Sequence, residues 1–232
     1  MNLTIRQQNL FEIIVVLGIM LLVKDIADRF EWIGAGSIAM WCGIVVATIF
    51  MRKRDITWQE RGLSLPSGSQ GWLKAFGIAL LVIVLSIAFM GVILPIFTEA
   101  LGLSIPESST DRFEFFLGNI WLFLGYLVVV IWLGAALGEE LLMRGFLLNH
   151  LIAIFGESKV SVWSAVLVHA VIFGMLHISQ GIPGIIGTGA VAIILGTVYL
   201  RTNRKLFPLI LAHGLINSIS LTAYYLSDGK IT

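Results

Sequence analysis

Apolar residues fall in seven long runs, separated by short polar stretches. The runs cover approximately residues 8–23, 32–51, 72–97, 118–143 (with an extension to 155 left open), 160–178, 182–200 and 206–226. A helix rises 1.5 Å per residue, so about 20 residues cross a hydrocarbon layer of about 30 Å. Most of the runs reach that length; the first is short and fits either a span or a partly interfacial helix. Turn and helix-stop signals lie between them: "LSLPSGSQG" at 63–71, "SIPESSTD" at 104–111, "FGESK" at 155–159, "SQGIPG" at 179–184 and "RTNRKLFP" at 201–208. The pattern predicts an all-α fold, a polytopic transmembrane helical bundle of about seven spans. An eighth span is open if "GEELLMRGFLLNHLIAIF" (138–155) crosses on its own.

Composition narrows this picture. Hydrophobic residues make up 58% of the 232-residue chain and charged residues 12%, against about 25% charged in ordinary soluble domains. The mean hydropathy of +0.95 excludes a soluble globule. A net charge of +1 gives no bulk attraction to nucleic acid. The single cysteine, Cys42, rules out an intrachain disulfide and a cysteine-based zinc cluster. The N-terminal run resembles a signal peptide in length, but no small-residue cleavage site follows promptly, and it reads better as a first span.

Lysine and arginine in the connections set an expected orientation. With the N-terminus inside, eleven of the 15 fall on inside segments and four (Lys24, Arg29, Arg112 and Lys230) outside. The expectation is a multi-pass protein with its N-terminus in the cytoplasm and its C-terminus outside. An eighth span would move "RTNRK" outside, against this bias, which favours a long fourth helix. "MRKRDITWQERGLSL" reads either as an interfacial stretch with Trp58 at headgroup depth or as a plain cytoplasmic loop.

Ionisable groups within spans are costly, about 2.5–3.5 kcal/mol each on insertion scales. Three clusters stand out. In "GEELLMRG", Glu140 and Arg144 are four apart, share a helix face and can pair. Glu139 points about 100° away from Glu140 on an α-helix and is left as a carboxylate in a low-dielectric site, the setting in which a general acid or base near neutral pH is made. The alternative is an ion-pair network that only fixes packing. "FGMLH" puts Phe173 and His177 on one face, and "HGLIN" does the same for His213 and Asn217. Each of these alone also fits an ordinary hydrogen-bonded core residue. Together the three clusters supply a carboxylate, two imidazoles and an amide from three helices. That set suits hydrolysis by activated water with oxyanion stabilisation. Glu139, His177 and His213 could instead hold zinc, although the H-E-x-x-H signature is absent, as are G-x-S-x-G and Walker A motifs. His150 and His169 have no assigned role; His150 is expected near the cytoplasmic interface and His169 hydrogen-bonded within the bundle.

"EELLMR" at 139–144, "FGMLH" at 173–177 and "HGLIN" at 213–217 resemble the three-motif signature of the CPBP (CAAX protease and bacteriocin-processing, or Abi) family. The resemblance covers about residues 115–226. It divides the chain into N-terminal transmembrane helices and loops (1–114) and a four-helix catalytic core (115–226), within a single integral membrane domain. It implies an intramembrane peptidase with Glu139 as the base that activates water and His177 assisting. His213 and Asn217 then stabilise the oxyanion, with Glu140, Arg144 and Phe173 in support. It also implies a metal-free glutamate mechanism without a cofactor, zinc being the alternative. Substrates in such a family are peptides or lipidated proteins, including prenylated C-terminal CAAX sequences and bacteriocin or leader peptides. Membrane lipids are the other expected partner, and nucleic acid is not. Non-proteolytic readings stay open: a membrane scaffold or immunity protein, or a proton-coupled transporter. The compact size and short loops suggest a prokaryotic plasma-membrane protein; oligomeric state is not readable.

One geometric difficulty arises. If the fourth span ends near 143, Glu139 lies close to one membrane face and His177 close to the other, a depth mismatch that could exceed 10 Å at 1.5 Å per residue. A fourth helix extending to Phe155 would remove it.

Overall fold

The computed structural model describes residues 4–104 and 113–230, and these contain helices and turns without a strand. Seven long helices follow one another: α1 (Ile5–Arg29), α2 (Ala35–Arg52), α3 (Gly68–Ala100), α4 (Ile120–Phe155), α5 (Lys159–Met175), α6 (Gly181–Arg201) and α7 (Phe207–Leu226). Short 3₁₀ turns at Glu114–Phe116 and Ile178–Gln180 precede α4 and α6. The expected turn at 104–111 and Arg112 of the charge count lie, but for Ser104, outside the described residues.

Among the described residues, five helices are long and apolar enough to cross a membrane: α2, α3, α4, α6 with its preceding turn, and α7. The chain is a polytopic helical membrane protein. α5 is a shorter apolar helix of 17 residues. The run 138–155 is not a separate span. It is the second half of α4, a continuous helix of 36 residues that ends only where Gly156 takes up φ 105°, a backbone state suited to glycine.

α4 is the central element. Every residue from Glu140 to Ile152 is buried, so this stretch is enclosed on all sides rather than along one stripe. Small residues make the enclosure possible. A Cβ on Gly134 would lie 2.0 Å from Ser37 Oγ, one on Gly138 3.1 Å from Met40, and one on Gly145 3.1 Å from the Trp58 ring. α2 answers with Ala35, Ala39, Gly43 and Ala47, a small residue every fourth position, which lets α1 and α4 close on it. The middle of α4, Leu127–Leu148, is wound as π-helix. Such i→i+5 winding is rare, and elsewhere it tends to occur at functional sites. It also reduces the turn per residue, so Glu139 and Glu140 diverge by less than the α-helical 100°.

Two further regions fix the ends of the bundle. At one end Phe116, Phe123, Ile131, Leu221 and Tyr224 form a separate aromatic-rich core, with Phe123 and Tyr225 stacked at 4.5 Å. At the other, the loop after α2 folds back onto the start of α7: the Leu206 N–H donates to the Gly62 carbonyl at 3.0 Å and Trp58 Nε1 donates to Thr48 at 2.9 Å. Trp58 is thus half-buried against the bundle.

Candidate active site

The site is assembled by α4, α5 and α7. Glu140 and Arg144 are both fully buried, and Arg144 Nη1 donates to Glu140 Oε1 at 2.9 Å. The same oxygen receives a second hydrogen bond, 2.9 Å from Nδ1 of His213 on α7. One carboxylate therefore binds two helices together. A lone Glu140 at this depth would be untenable; with two N–H donors it becomes a buried charge-assisted network.

Glu139 is held differently. Its side chain is 18% exposed, and its nearest ion-pair partner is Nε2 of His213 at 3.9 Å, beyond direct hydrogen-bond reach. Its Oε2 is buried and has no hydrogen-bond partner. The two adjacent glutamates thus differ: Glu140 is bonded through one oxygen to both Arg144 and His213 while its Oε2 stays unpartnered, and Glu139 faces an imidazole without a direct bond.

His213 lies between them. A carboxylate only accepts, so Nδ1–H donates to Glu140 and Nε2 is directed toward Glu139. Its position depends on the next residue, Gly214, where a Cβ would come within 2.6 Å of the Trp132 ring of α4. The absent side chain lets Trp132 seat against α7 beside His213. Asn217, one turn further on, is half-buried.

The Arg144 guanidinium lies 4.9 Å from the Phe173 ring centre, a cation–π contact between α4 and α5. Phe173 in turn lies 4.7 Å from the His177 ring, and His177 Nδ1 donates to the Phe173 carbonyl at 2.9 Å. That bond leaves Nε2 of a neutral His177 as an acceptor.

The long α4 lessens the depth mismatch expected between Glu139 and His177. α4 and α5 form a hairpin joined at Gly156, so depth is counted from a common turn. Glu139 lies 17 residues before Gly156 and His177 21 after, so the two differ by four positions counted from the turn. The Arg144–Phe173 contact fixes the register, and Glu140 and His177 each lie four residues beyond it in the same direction. The short-span reading erred by ending the fourth segment at 143; Glu139 is near the middle of α4.

Among the described residues no three His, Cys, Asp or Glu side chains converge as a metal-ligand set. As placed, Glu139, His177 and His213 do not fit a zinc site, and the chemistry below draws on the side chains alone.

Sequence reasoning missed a second buried polar cluster. Glu12 of α1 is 2% exposed and receives Nε2 of His150 at 2.8 Å and Nη1 of Arg54 at 3.0 Å; Arg54 also reaches Asn9 at 3.0 Å. Nδ1 of His150 donates to the Phe146 carbonyl at 2.9 Å. Both ring nitrogens of His150 thus meet oxygen atoms, which holds the imidazole at both ends. His150 is therefore buried in a hydrogen-bonded network. The members lie up to 138 residues apart, so no local motif announces them; the available signal was a lone glutamate in the first apolar run. His169 departs from expectation. It is fully buried next to Gly196, and neither ring nitrogen has a hydrogen-bond partner among the described residues.

Residues 119–219 match a family model described as type II CAAX prenyl endopeptidase Rce1-like. The match supports the CAAX-protease family. It covers all three polar clusters, from before Glu139 to just past Asn217. No curated protein and no solved structure matches the chain.

Proposed function

We propose that the protein is an intramembrane glutamic-type endopeptidase in which Glu139 activates water. The observation that carries this reading is the division of labour between the two glutamates. Glu140 is tied through Oε1 to both Arg144 and His213 at 2.9 Å, whereas Glu139 makes no such bond and faces Nε2 of His213 across 3.9 Å; the Oε2 atoms of both are buried and unpartnered. A gap of that size suits a single water in contact with both groups. Glu139 takes a proton from this water as the oxygen attacks the scissile carbonyl carbon, and the C–O bond forms as the carbonyl electrons move onto oxygen. Nε2 of His177 assists in orienting the water. Asn217 Nδ2 and a doubly protonated His213, donating Nδ1–H to Glu140 and Nε2–H to the site, stabilise the oxyanion. Protonated Glu139 then returns its proton to the leaving amine as the C–N bond breaks. Glu140, Arg144 and Phe173 hold these groups in place and do not exchange protons with substrate.

The mechanism needs no metal or cofactor. His213 is six residues from the start of α7, so the chemistry lies about 9 Å along the helix from its end. By the charge bias this end faces the cytoplasm, with the N-terminus on the same side and the C-terminus opposite. Cleavage near the C-terminus of a CAAX-type lipidated peptide, or of a bacteriocin or leader peptide, fits a site at that depth. The test is hydrolysis of a prenylated CAAX peptide by purified protein, with and without chelator, and with Glu139→Gln as control. Chelator-resistant cleavage lost in the variant is expected; cleavage abolished by chelator and restored by zinc would refute the metal-free mechanism.

A further inference from the structure

The loop after α2 and the loop before α7 meet in a joint that the peptide chemistry does not use. Gly62, at φ 99°, packs so closely on the second loop that a Cβ there would lie 1.6 Å from the Arg204 carbonyl oxygen. The Leu206 N–H donates to the Gly62 carbonyl at 3.0 Å and Lys205 Nζ to Ser64 Oγ at 3.1 Å. Asn203 and Arg204 both sit in the left-handed region, at φ 53° and 58°. That conformation is uncommon for an arginine and collects where a structure needs a side chain held in one place.

The joint brings cations together without counter-ions. Arg61 and Arg204 are each half-buried, and neither has a carboxylate within ion-pair distance among the described residues. Arg61 Nε is buried and unpartnered. Burial lowers the Arg61 pKa from its ordinary value, and the nearby charges of Arg204 and Arg54 act in the same direction, against Tyr199 and Glu60. Arg54 is committed to Glu12 and Asn9. The carboxylate of Glu60 is taken by the Thr57 N–H and hydroxyl at 2.6 and 2.9 Å. Arg52, Lys53, Arg201 and Lys205 are exposed around the joint, with Asp55 the other exposed acid of this loop. Nearby, Trp72 on the first turn of α3 meets Phe207 on the first turn of α7 edge-on at 5.2 Å. Aromatic rings at helix ends mark the headgroup level of a bilayer.

We propose that Arg61 and Arg204 form a binding site for a phosphate-bearing anion, either the phosphodiester of an anionic lipid headgroup or free phosphate. Guanidinium groups suit phosphate because their planar forks donate two parallel hydrogen bonds. The site is tied to the candidate active centre by hydrogen bonds. Tyr199 donates to the Arg61 carbonyl at 2.8 Å, and Asn149 Nδ2 donates to the Tyr199 hydroxyl at 2.9 Å and to the Arg144 carbonyl at 2.8 Å. An anion that draws Arg61 and Arg204 together steadies the loop from which α7, with His213, begins.

The test uses the full chain in detergent micelles. Binding of phosphatidylglycerol, phosphatidylcholine and inorganic phosphate is compared for the wild type, the double variant Arg61→Gln/Arg204→Gln and the distant control Arg29→Gln. Each basic residue at a membrane surface contributes about fivefold in affinity, so the double variant should lose about 30-fold for phosphatidylglycerol and the control little. Phosphate that binds the wild type where phosphatidylglycerol does not would keep the site and assign it to the free ion. A double variant within threefold of wild type for both ligands, or equal affinity for the two lipids with no phosphate binding, overturns the proposal. Should the double variant misfold, arginine modification by phenylglyoxal decides on the wild type. Arg61 and Arg204 should be protected by phosphatidylglycerol or phosphate, and not by phosphatidylcholine; equal modification throughout refutes the site. None of these readouts depends on peptidase activity.

Discussion

Replacing each of the adjacent glutamates by glutamine should give opposite phenotypes. Glu140 and Arg144 are fully buried, and one oxygen of Glu140 receives both Arg144 and His213 at 2.9 Å. Glu140→Gln removes the charge but keeps the shape, leaving the guanidinium buried without its counter-ion. Breaking a buried pair in this way costs about 3–5 kcal/mol. Glu139 is 18% exposed and its nearest cationic partner is at 3.9 Å, so Glu139→Gln should cost less than about 1 kcal/mol, as for loosely coupled pairs. Its rate effect runs the other way. Loss of a general base lowers turnover by about 10²–10⁴-fold. The assay pairs reversible unfolding in mixed detergent micelles with single-turnover cleavage. The double variant Glu140→Gln/Arg144→Met supplies the check on mechanism. With the cation also removed, it should be less destabilised than the sum of the single changes, by about 0.5–3 kcal/mol. Additive effects would refute the pairing argument, and Glu139→Gln with more than a tenth of wild-type turnover would refute its role as base.

Other consequences are more local. Gly214→Ala places a methyl group 2.6 Å from the Trp132 ring beside His213; overpacking of this kind costs about 1–3 kcal/mol, and turnover should fall with it, whereas Gly125→Ala, which meets nothing within 4 Å, should leave both unchanged. Gly62→Ala drives a Cβ to 1.6 Å from the Arg204 carbonyl at a φ of 99° and should lower unfolding stability by about 2 kcal/mol or more. Glu12→Ala leaves His150 and Arg54 without their carboxylate and should destabilise by about 3 kcal/mol without altering the pH profile of cleavage by the folded fraction. The Glu60 carboxyl is held below its ordinary pKa by the Thr57 N–H and then the Thr57 hydroxyl. Its contribution to stability is therefore full above the unfolded carboxylate value and lost as pH falls through the lower folded value; carbon-detected NMR titration of Glu60 in wild type and Thr57→Val should show the variant titrating at higher pH.

The helices were legible because hydrophobicity alone defines them: the run at 206–226 became Phe207–Leu226 and that at 182–200 became Gly181–Arg201. The pairing of Glu140 with Arg144 was legible too, being set by spacing on one helix. The length of α4 was harder to read, because its charged second half looks like a helix end by composition. Only enclosure by α1, α2, α5 and α7 makes Glu140 to Ile152 interior. The partner of Glu139 depends on that enclosure as well. His177 was expected beside it, yet the group directly facing it is His213, placed there by a bond to Glu140 that spans 73 residues.

The two glutamates also show why the motif needs both acids. Glu140 alone could neutralise Arg144, but its second bond turns Nε2 of His213 toward Glu139. Both carboxylates address the two nitrogens of one imidazole from a single helix: Glu140 fixes the histidine through Nδ1 at 2.9 Å, and Glu139 stands 3.9 Å from Nε2 with its own carboxylate undirected by any other bond, which is the freedom that a proton acceptor requires.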